Sequence, residues 1–162
     1  MTIDVVRRWG ITSLGSRLVR IGERLRAHTQ DLMDAHDLPI QVHHYPLLTA
    51  LRENGTLPIT DLAANLGVSQ PGVTRSVTQL SAQGFVRVEH ANNDKRVRLV
   101  SITDGGAQLV NYAEANLWPL IEGSLTRLLG GQSDHLLSIL NLLEDGISER
   151  QLFIEAEKTQ NG

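Results

Sequence analysis

The stretch Gly67-Val68-Ser69-Gln70-Pro71 constrains this chain more than any other. Before it, Asp61 to Leu66 carries Leu62, Ala63 and Leu66 on one side of a short helix, with Thr60 as its expected N-cap. Gly67 suits the sharp stop and turn that must follow. After it, Ser69 can cap a second helix, and Pro71 falls in that helix's first turn, where a missing N–H is harmless. Val73, Val77 and Leu80 recur at i, i+4 and i+7, which gives one buried face, and Gly84 ends the helix. The remaining faces carry Gln70, Gly72, Thr74, Arg75, Thr78 and Gln79. These side chains suit the major groove of DNA: glutamine reads adenine edges, arginine reads guanine or holds phosphate, and hydroxyls bond either. The small first turn from Ser69 to Gly72 lets a helix N-terminus approach a phosphate closely. The plain alternative is a helix pair in an ordinary all-helical core.

A ribbon argues against that alternative. Phe85 to His90 and Arg96 to Ile102 are rich in Val, Leu and Ile, as strands prefer, and are separated by the turn formers Ala91-Asn92-Asn93-Asp94-Lys95. Lys95, Arg96 and Arg98 put three positive charges at or near the tip. An arginine on a protruding ribbon can enter the narrow minor groove, where the potential is most negative. Charges that merely keep the ribbon's edge from pairing are the alternative. Beside a helix-turn-helix, the DNA reading is favoured.

The runs TDLAANLGVSQPGVTRSVTQLSAQGFV and NDKRVRLVSITDGGAQLV resemble the multiple-antibiotic-resistance regulator (MarR) family of winged helix-turn-helix repressors. The motif covers Leu62 to Gly84, then Asp94-Lys95-Arg96, then Ile102-Thr103-Asp104-Gly105-Gly106. The resemblance implies that Asp94 supports the wing by local bonding and that Arg96 reaches the minor groove. It also implies a homodimer formed through the first and last helices, and a small aromatic or phenolic effector held between those helices and the DNA reader. Trp9, Arg17, His43, His44, Tyr45 and Trp118 are the candidates to line that pocket. The residues expected to touch double-stranded DNA are Ser69, Gln70, Pro71, Gly72, Thr74, Arg75, Thr78, Gln79, Lys95, Arg96 and Arg98.

The expected fold is mainly α with a small β-wing. Residues 1–162 form a single domain, with a winged helix-turn-helix over 57–103 and a helical dimerisation region over 11–36 and 104–152. The first helix is expected from about Ser13 to His36, where Ile11, Leu14, Leu18, Ile21 and Leu25 are spaced as a coiled-coil-like seam. Pro39 breaks the chain before a helix over Tyr45 to Arg52. Thr103 caps a helix running to Leu117, and Trp118-Pro119 marks a kink or restart. Gly130-Gly131 ends that segment, and Ser133 is expected to cap a last helix with Leu136, Leu140, Leu143 and Ile147 on one face. Leu137, Ile139 and Leu142 widen that face beyond what one covering helix needs, so both chain ends carry surplus apolar surface. The tail from about Glu155 to Gly162 is polar and expected to fray.

The net charge of −3 hides an asymmetry. An acidic chain binds a polyanion only if positive charge gathers on one face. Arg75, Arg87, Lys95, Arg96 and Arg98 outnumber Asp61, Glu89 and Asp94 between residues 61 and 103, whereas the chain beyond 103 is acidic. The absence of cysteine excludes disulfides and thiol redox sensing. The start MTIDVVRRWG has no long apolar stretch, and no apolar run nears the length of a membrane span, so a cytoplasmic protein is expected, with no membrane partner. No nucleophile motif or phosphate-binding glycine loop is present, so neither an enzyme nor a cofactor is expected. His28, His36, His43 and His44, with Asp34 and Asp37, leave a metal-responsive regulator as one alternative, although no H-x-x-x-H spacing appears and no metal site is assigned. A winged-helix protein acting mainly as a protein-interaction module is the other.

Overall fold

The computed structural model describes residues 4–91 and 94–148. They fall into two compact units, one closing at Trp118 and the other beginning at Pro119. The expected tail from Glu155 and residues 149–152 of the expected dimerisation region lie outside the described residues, as do Asn92 and Asn93 of the wing tip.

The first unit opens with a short helix α1 (Val5–Arg8), capped by Asp4, whose carboxylate accepts the Arg7 N–H. A 3₁₀ turn over Gly10–Ser13 leads into α2 (Leu14–Ala35), so Ser13 and His36 are caps rather than helical residues and Ile11 lies in the turn. After Pro39 and a 3₁₀ turn at Val42–His44 comes α3 (Tyr45–Asn54). Then follow β1 (Leu57–Pro58), α4 (Ile59–Leu66), α5 (Gln70–Ala82), β2 (Val86–Ala91), β3 (Asp94–Ile102) and α6 (Asp104–Asn116). The core is aliphatic and joins the elements from α2 to α6: Met33 from α2, Leu47, Leu48 and Leu51 from α3, Leu62 from α4, Val73, Val77 and Leu80 from α5, Val86 from β2, Val100 from β3, and Val110 and Leu117 after it, with Leu57 of β1 packed against it.

Three expectations for this unit need correction. The ribbon is three-stranded, not two: β1 pairs antiparallel with β3, Leu57 opposite Val100 and Pro58 opposite Leu99. The strand ends also differ from the sequence reading. β2 starts at Val86 rather than Phe85, and Asp94 and Lys95 belong to β3, with Ala91 paired to Asp94 across a register shift. Finally, Thr60 does not cap α4. Pro58, extended at φ −63° and ψ 151°, holds the cap position, and the Thr60 hydroxyl donates to Asp61 instead. Proline suits a position whose N–H needs no helical acceptor.

The expected punctuation of this unit is otherwise observed. Gly67 closes α4 in the left-handed region at φ 62°, and its N–H and that of Val68 bond Ala64 and Ala63 carbonyls. Ser69 is the N-cap of α5 by position, but its hydroxyl makes no capping bond; Pro71 sits in the first turn. Thr103 caps α6, its hydroxyl oxygen accepting the Gly106 N–H at 3.2 Å. Arg52 of α3 bonds both carboxylate oxygens of Glu114, at 2.6 and 2.7 Å, and ties α3 to α6.

Gly106 is where α6 meets the wing's base most closely. A Cβ there would stand 2.3 Å from the Phe85 carbonyl oxygen and 2.8 Å from Ile102 Cγ1, whereas at Gly105 the nearest atoms lie at 3.8 Å. Gly106→Ala is therefore expected to destabilise by about 1–3 kcal/mol through overpacking, while Gly105→Ala costs little or helps. Urea unfolding of both variants checks this; equal midpoints would refute the close approach.

The second unit holds α7 (Trp118–Leu129, which begins at the boundary) and α8 (Ser133–Ser148). The restart at Trp118-Pro119 is as expected, with Leu117 capping α6. Gly130 and Gly131, at φ 58° and 83°, make the turn. Ser133 is not the cap before α8 but its first residue, and its hydroxyl has no hydrogen-bond partner among the described residues. No residue from Pro119 to Ile147 is fully buried.

Candidate nucleic-acid interface

Helix α5 meets its own domain through Val73, Val77 and Leu80, all at most 2% exposed. The opposite stripe is Pro71, Arg75, Thr78 and Ala82, every one exposed. Helical spacing dictates this, since those positions repeat at i, i+4, i+7 and i+11. The stripe is small-to-polar with a single guanidinium, and Ser69, Gln70 and Gly72 at the helix start are exposed as well.

The two flanks of α5 have different neighbours. On the wing side, Arg98 Nη2 donates to Thr74 Oγ1 at 3.5 Å, so β3 and α5 present one continuous surface. Thr78 donates its hydroxyl to the Thr74 carbonyl at 2.8 Å, which leaves the oxygen as an acceptor facing outward. On the other side Gln79 leaves the outward stripe. Its side-chain oxygen is 3.0 Å from Nε2 of the buried His44, a contact the sequence reading did not foresee.

The wing is braced from within. Asp94 Oδ1 accepts the Arg96 N–H at 2.8 Å, the local bond that the resemblance implied. His90 Nδ1 lies 2.7 Å from the Lys95 carbonyl, so that nitrogen carries the proton and donates. Nothing in the sequence pattern pointed to His90, which only becomes a brace once β2 and β3 are in register. Lys95, Arg96 and Arg98 are all exposed, with Arg96 two residues from the wing's first paired position.

The six pocket candidates do not come together. His43 lines a cavity of about 480 Å³ with Pro46, Leu66, Val68, Gly72 and Arg75, directly beside α5. It also lines a second of about 310 Å³ with Glu23, Arg26, Gln30 and Gln41. Burial and the nearby Arg26 charge hold its imidazole below the usual histidine range. His44 is buried. Tyr45 and Trp118 pack edge to face, with ring centroids 4.5 Å apart, and seal the core rather than line a cavity beside α5. Trp9 is 64% exposed and Arg17 half-buried, and neither lines these two cavities.

The histidines disperse in the same way. His28 faces Asp31, His36 bonds Tyr112 at 3.1 Å, and His43 and His44 lie with ring centroids 4.2 Å apart. Among the described residues no three histidine, aspartate or glutamate side chains gather to hold a metal.

This geometry has known counterparts. A family model described as MarR family matches residues 36–97, from the end of α2 into β3. An uncharacterized HTH-type transcriptional regulator of Mycobacterium leprae is 30% identical over 111 residues, which span 68% of this chain and 78% of that protein. The chain belongs to the MarR family.

A second relative, an uncharacterized HTH-type transcriptional regulator of Bacillus subtilis, is 27% identical over 79 residues, and the chain spans only 49% of its length. Among solved structures, a mutant E. coli MarR complexed with operator DNA superposes with a TM-score of 0.73 over 88% of this chain and 98% of that one, at 22% identity. BpsR of Bordetella bronchiseptica, whose DNA binding is regulated by 6-hydroxynicotinic acid, gives a TM-score of 0.66 at 26% identity, covering 82% and 96%. These likenesses establish a MarR-type winged-helix fold, mainly α with a small antiparallel sheet. No helix among the described residues is long and apolar enough to cross a membrane.

Proposed function

We propose that this MarR-family chain is a cytoplasmic, dimeric, sequence-specific DNA-binding repressor that recognises an inverted-repeat operator. The observation that carries the reading is the bond from Arg98 to Thr74, which makes one surface of the basic wing and the polar stripe of α5. A surface of that shape offers a helix to the major groove and a ribbon to the adjoining minor groove. Arg75, with Thr74 and Thr78, is assigned to base edges. Ser69, Gln70, Pro71 and Gly72 are assigned to the phosphates at the helix start, and Arg96 to the minor groove.

Dimerisation is proposed from unclothed apolar surface. Of the 22 residues in α2 only Met33 is buried, while Leu18, Ile21 and Leu25 are exposed, as is Ile11 ahead of it. Among the described residues of the second unit none is fully buried, and Leu128, Leu137, Leu142 and Ile147 are more than half exposed. Such surface is normal for a chain whose first and last helices are covered by a second copy. A small aromatic or phenolic effector is assigned to the cavity beside α5 that His43 lines, where a bound ring would press on the helix.

The test is a mobility shift and footprint on the duplex upstream of the protein's own gene. Protection of two half-sites about one helical turn apart is expected. Arg75→Ala should cost about 1–3 kcal/mol at the protected site and much less on random duplex. Equal weakening on both would mean that Arg75 only holds phosphate, and no protected site at all would end the reading.

A further inference from the structure

The segment from Pro39 to His44 is a strap between α2 and α5. On the α2 side, Gln30 Oε1 accepts the Val42 N–H at 2.7 Å and Gln30 Nε2 donates to the Ile40 carbonyl at 3.3 Å. On the α5 side, Gln83 Nε2 donates to the Pro39 carbonyl at 2.8 Å, and His44 meets Gln79. His44 is the one strap side chain that is both buried, at 3% exposed, and bonded to α5.

The hydrogen bonds define the state of that imidazole. Gln41 caps the 3₁₀ turn, and its backbone N–H points at His44 Nδ1 at 3.4 Å. A backbone N–H can only donate, so Nδ1 must be the bare nitrogen. The proton therefore sits on Nε2 and is donated to Gln79 Oε1. A second proton would have to go on Nδ1, facing the Gln41 donor, inside a site lined by Pro39, Ile40, Gln41, Ala82 and Gln83 with no counter-charge. The titratable group in contact is His43; Arg26 and Glu23 from α2 and Arg75 from α5 surround His43, so the net neighbouring charge is positive. Burial and His43 together lower the His44 basicity, against a smaller opposing pull from Gln79.

We propose that His44 is a positioning residue for the recognition helix: in its neutral form Nδ1 accepts the Gln41 N–H while Nε2–H holds Gln79 of α5, and a second proton on Nδ1 sets two donors against each other, opens the cap of the strap, shifts the helix that the strap holds and weakens DNA binding. The inference rests on the DNA-binding reading above. It makes a prediction of unusual sign. Acid adds positive charge to a protein, and added charge alone strengthens binding to a polyanion. A positioning histidine acts the other way, because the folded site favours the neutral form and is lost as pH falls below the ordinary histidine range.

The experiment uses the full chain and a fluorescein-labelled duplex from upstream of its own gene, with anisotropy at constant ionic strength between pH 7.5 and 5.5. Wild type is expected to lose affinity by about tenfold across that range, since the strap of each of two subunits loses its Gln41–His44 bond. His44→Gln keeps a donor within reach of Gln79 but does not titrate. It should bind as wild type does at pH 7.5 and stay level or tighten in acid. Gln79→Met, a change at an exposed position, should be weak already at pH 7.5 and show little further loss. His43→Gln should keep the wild-type slope. On the free protein, ¹⁵N imidazole spectra should show His44 with its proton on Nε2. An acid loss that persists in His44→Gln, or a spectrum with the proton on Nδ1, overturns the inference alone. A wild-type protein that binds no duplex at any pH overturns it together with the DNA-binding reading.

Discussion

Replacing Ile139 and Leu142 together by aspartate should split the dimer and leave a folded chain. Both residues lie on one side of α8, and both are exposed in the single chain, Ile139 by 41% and Leu142 by 72%. A carboxylate at either position therefore costs an isolated chain little. Enclosed against a second copy, each uncompensated charge would cost roughly several kcal/mol. Sedimentation at micromolar concentration should show a monomer while the helical circular dichroism stays near that of the wild type. Operator binding should fall with the dimer, since two half-sites are read by two helices. A stable double-mutant dimer would place the interface elsewhere. The sequence reading centred this face on Leu136, Leu140, Leu143 and Ile147. Leu140 and Leu143 are half-covered within the single chain, so the flanking Ile139 and Leu142 are the cleaner probes.

Arg96→Ala is expected to weaken operator binding by about one to two decades and to flatten its salt dependence. Arg96 stands on the wing just past the tip, where its backbone N–H donates to Asp94 and fixes the local backbone. In a narrow minor groove its guanidinium gains from a focused negative potential. Its loss should lower the slope of log affinity against log salt by about one per subunit, because one fewer counterion is displaced. Asp94→Ala should weaken binding differently. It removes a negative charge and the bond that orders the wing, so the slope should hold while affinity falls. Binding constants across a salt series for wild type and both variants separate the two effects. If Arg96→Ala matches wild type at every salt, the wing does not touch DNA.

The local features were legible in the sequence because they are local. A stop at Gly67, a start at Ser69-Gln70-Pro71, a buried stripe of Val73, Val77 and Leu80 and a cap at Thr103 each depend on residues within one or two turns. The backbone freedom of glycine, the fixed φ of proline and the helical period decide them without help from the rest of the chain. The Asp94 brace is of the same kind, an acceptor two residues from its donor. Membership of the MarR family followed from the same short-range run.

What only the tertiary structure decided involves partners far apart in the chain. β1 is two residues long and has no periodicity to detect; it becomes a strand because β3 arrives beside it some forty residues later. Its presence moves the cap of α4 from Thr60 to Pro58. Gln79 reads from sequence as an outward residue like Thr78, yet it bonds to a histidine 35 positions earlier, because the strap after α2 lies along that flank of α5. The candidates His43, His44, Tyr45, Trp118, Trp9 and Arg17 share chemistry but not a place. Residue type indicates what a side chain can bind; the path of the backbone determines what it meets, and for these six that path sends His43 to a cavity, His44 to a latch and Tyr45 with Trp118 to the core, and leaves Trp9 and Arg17 away from the cavities that His43 lines.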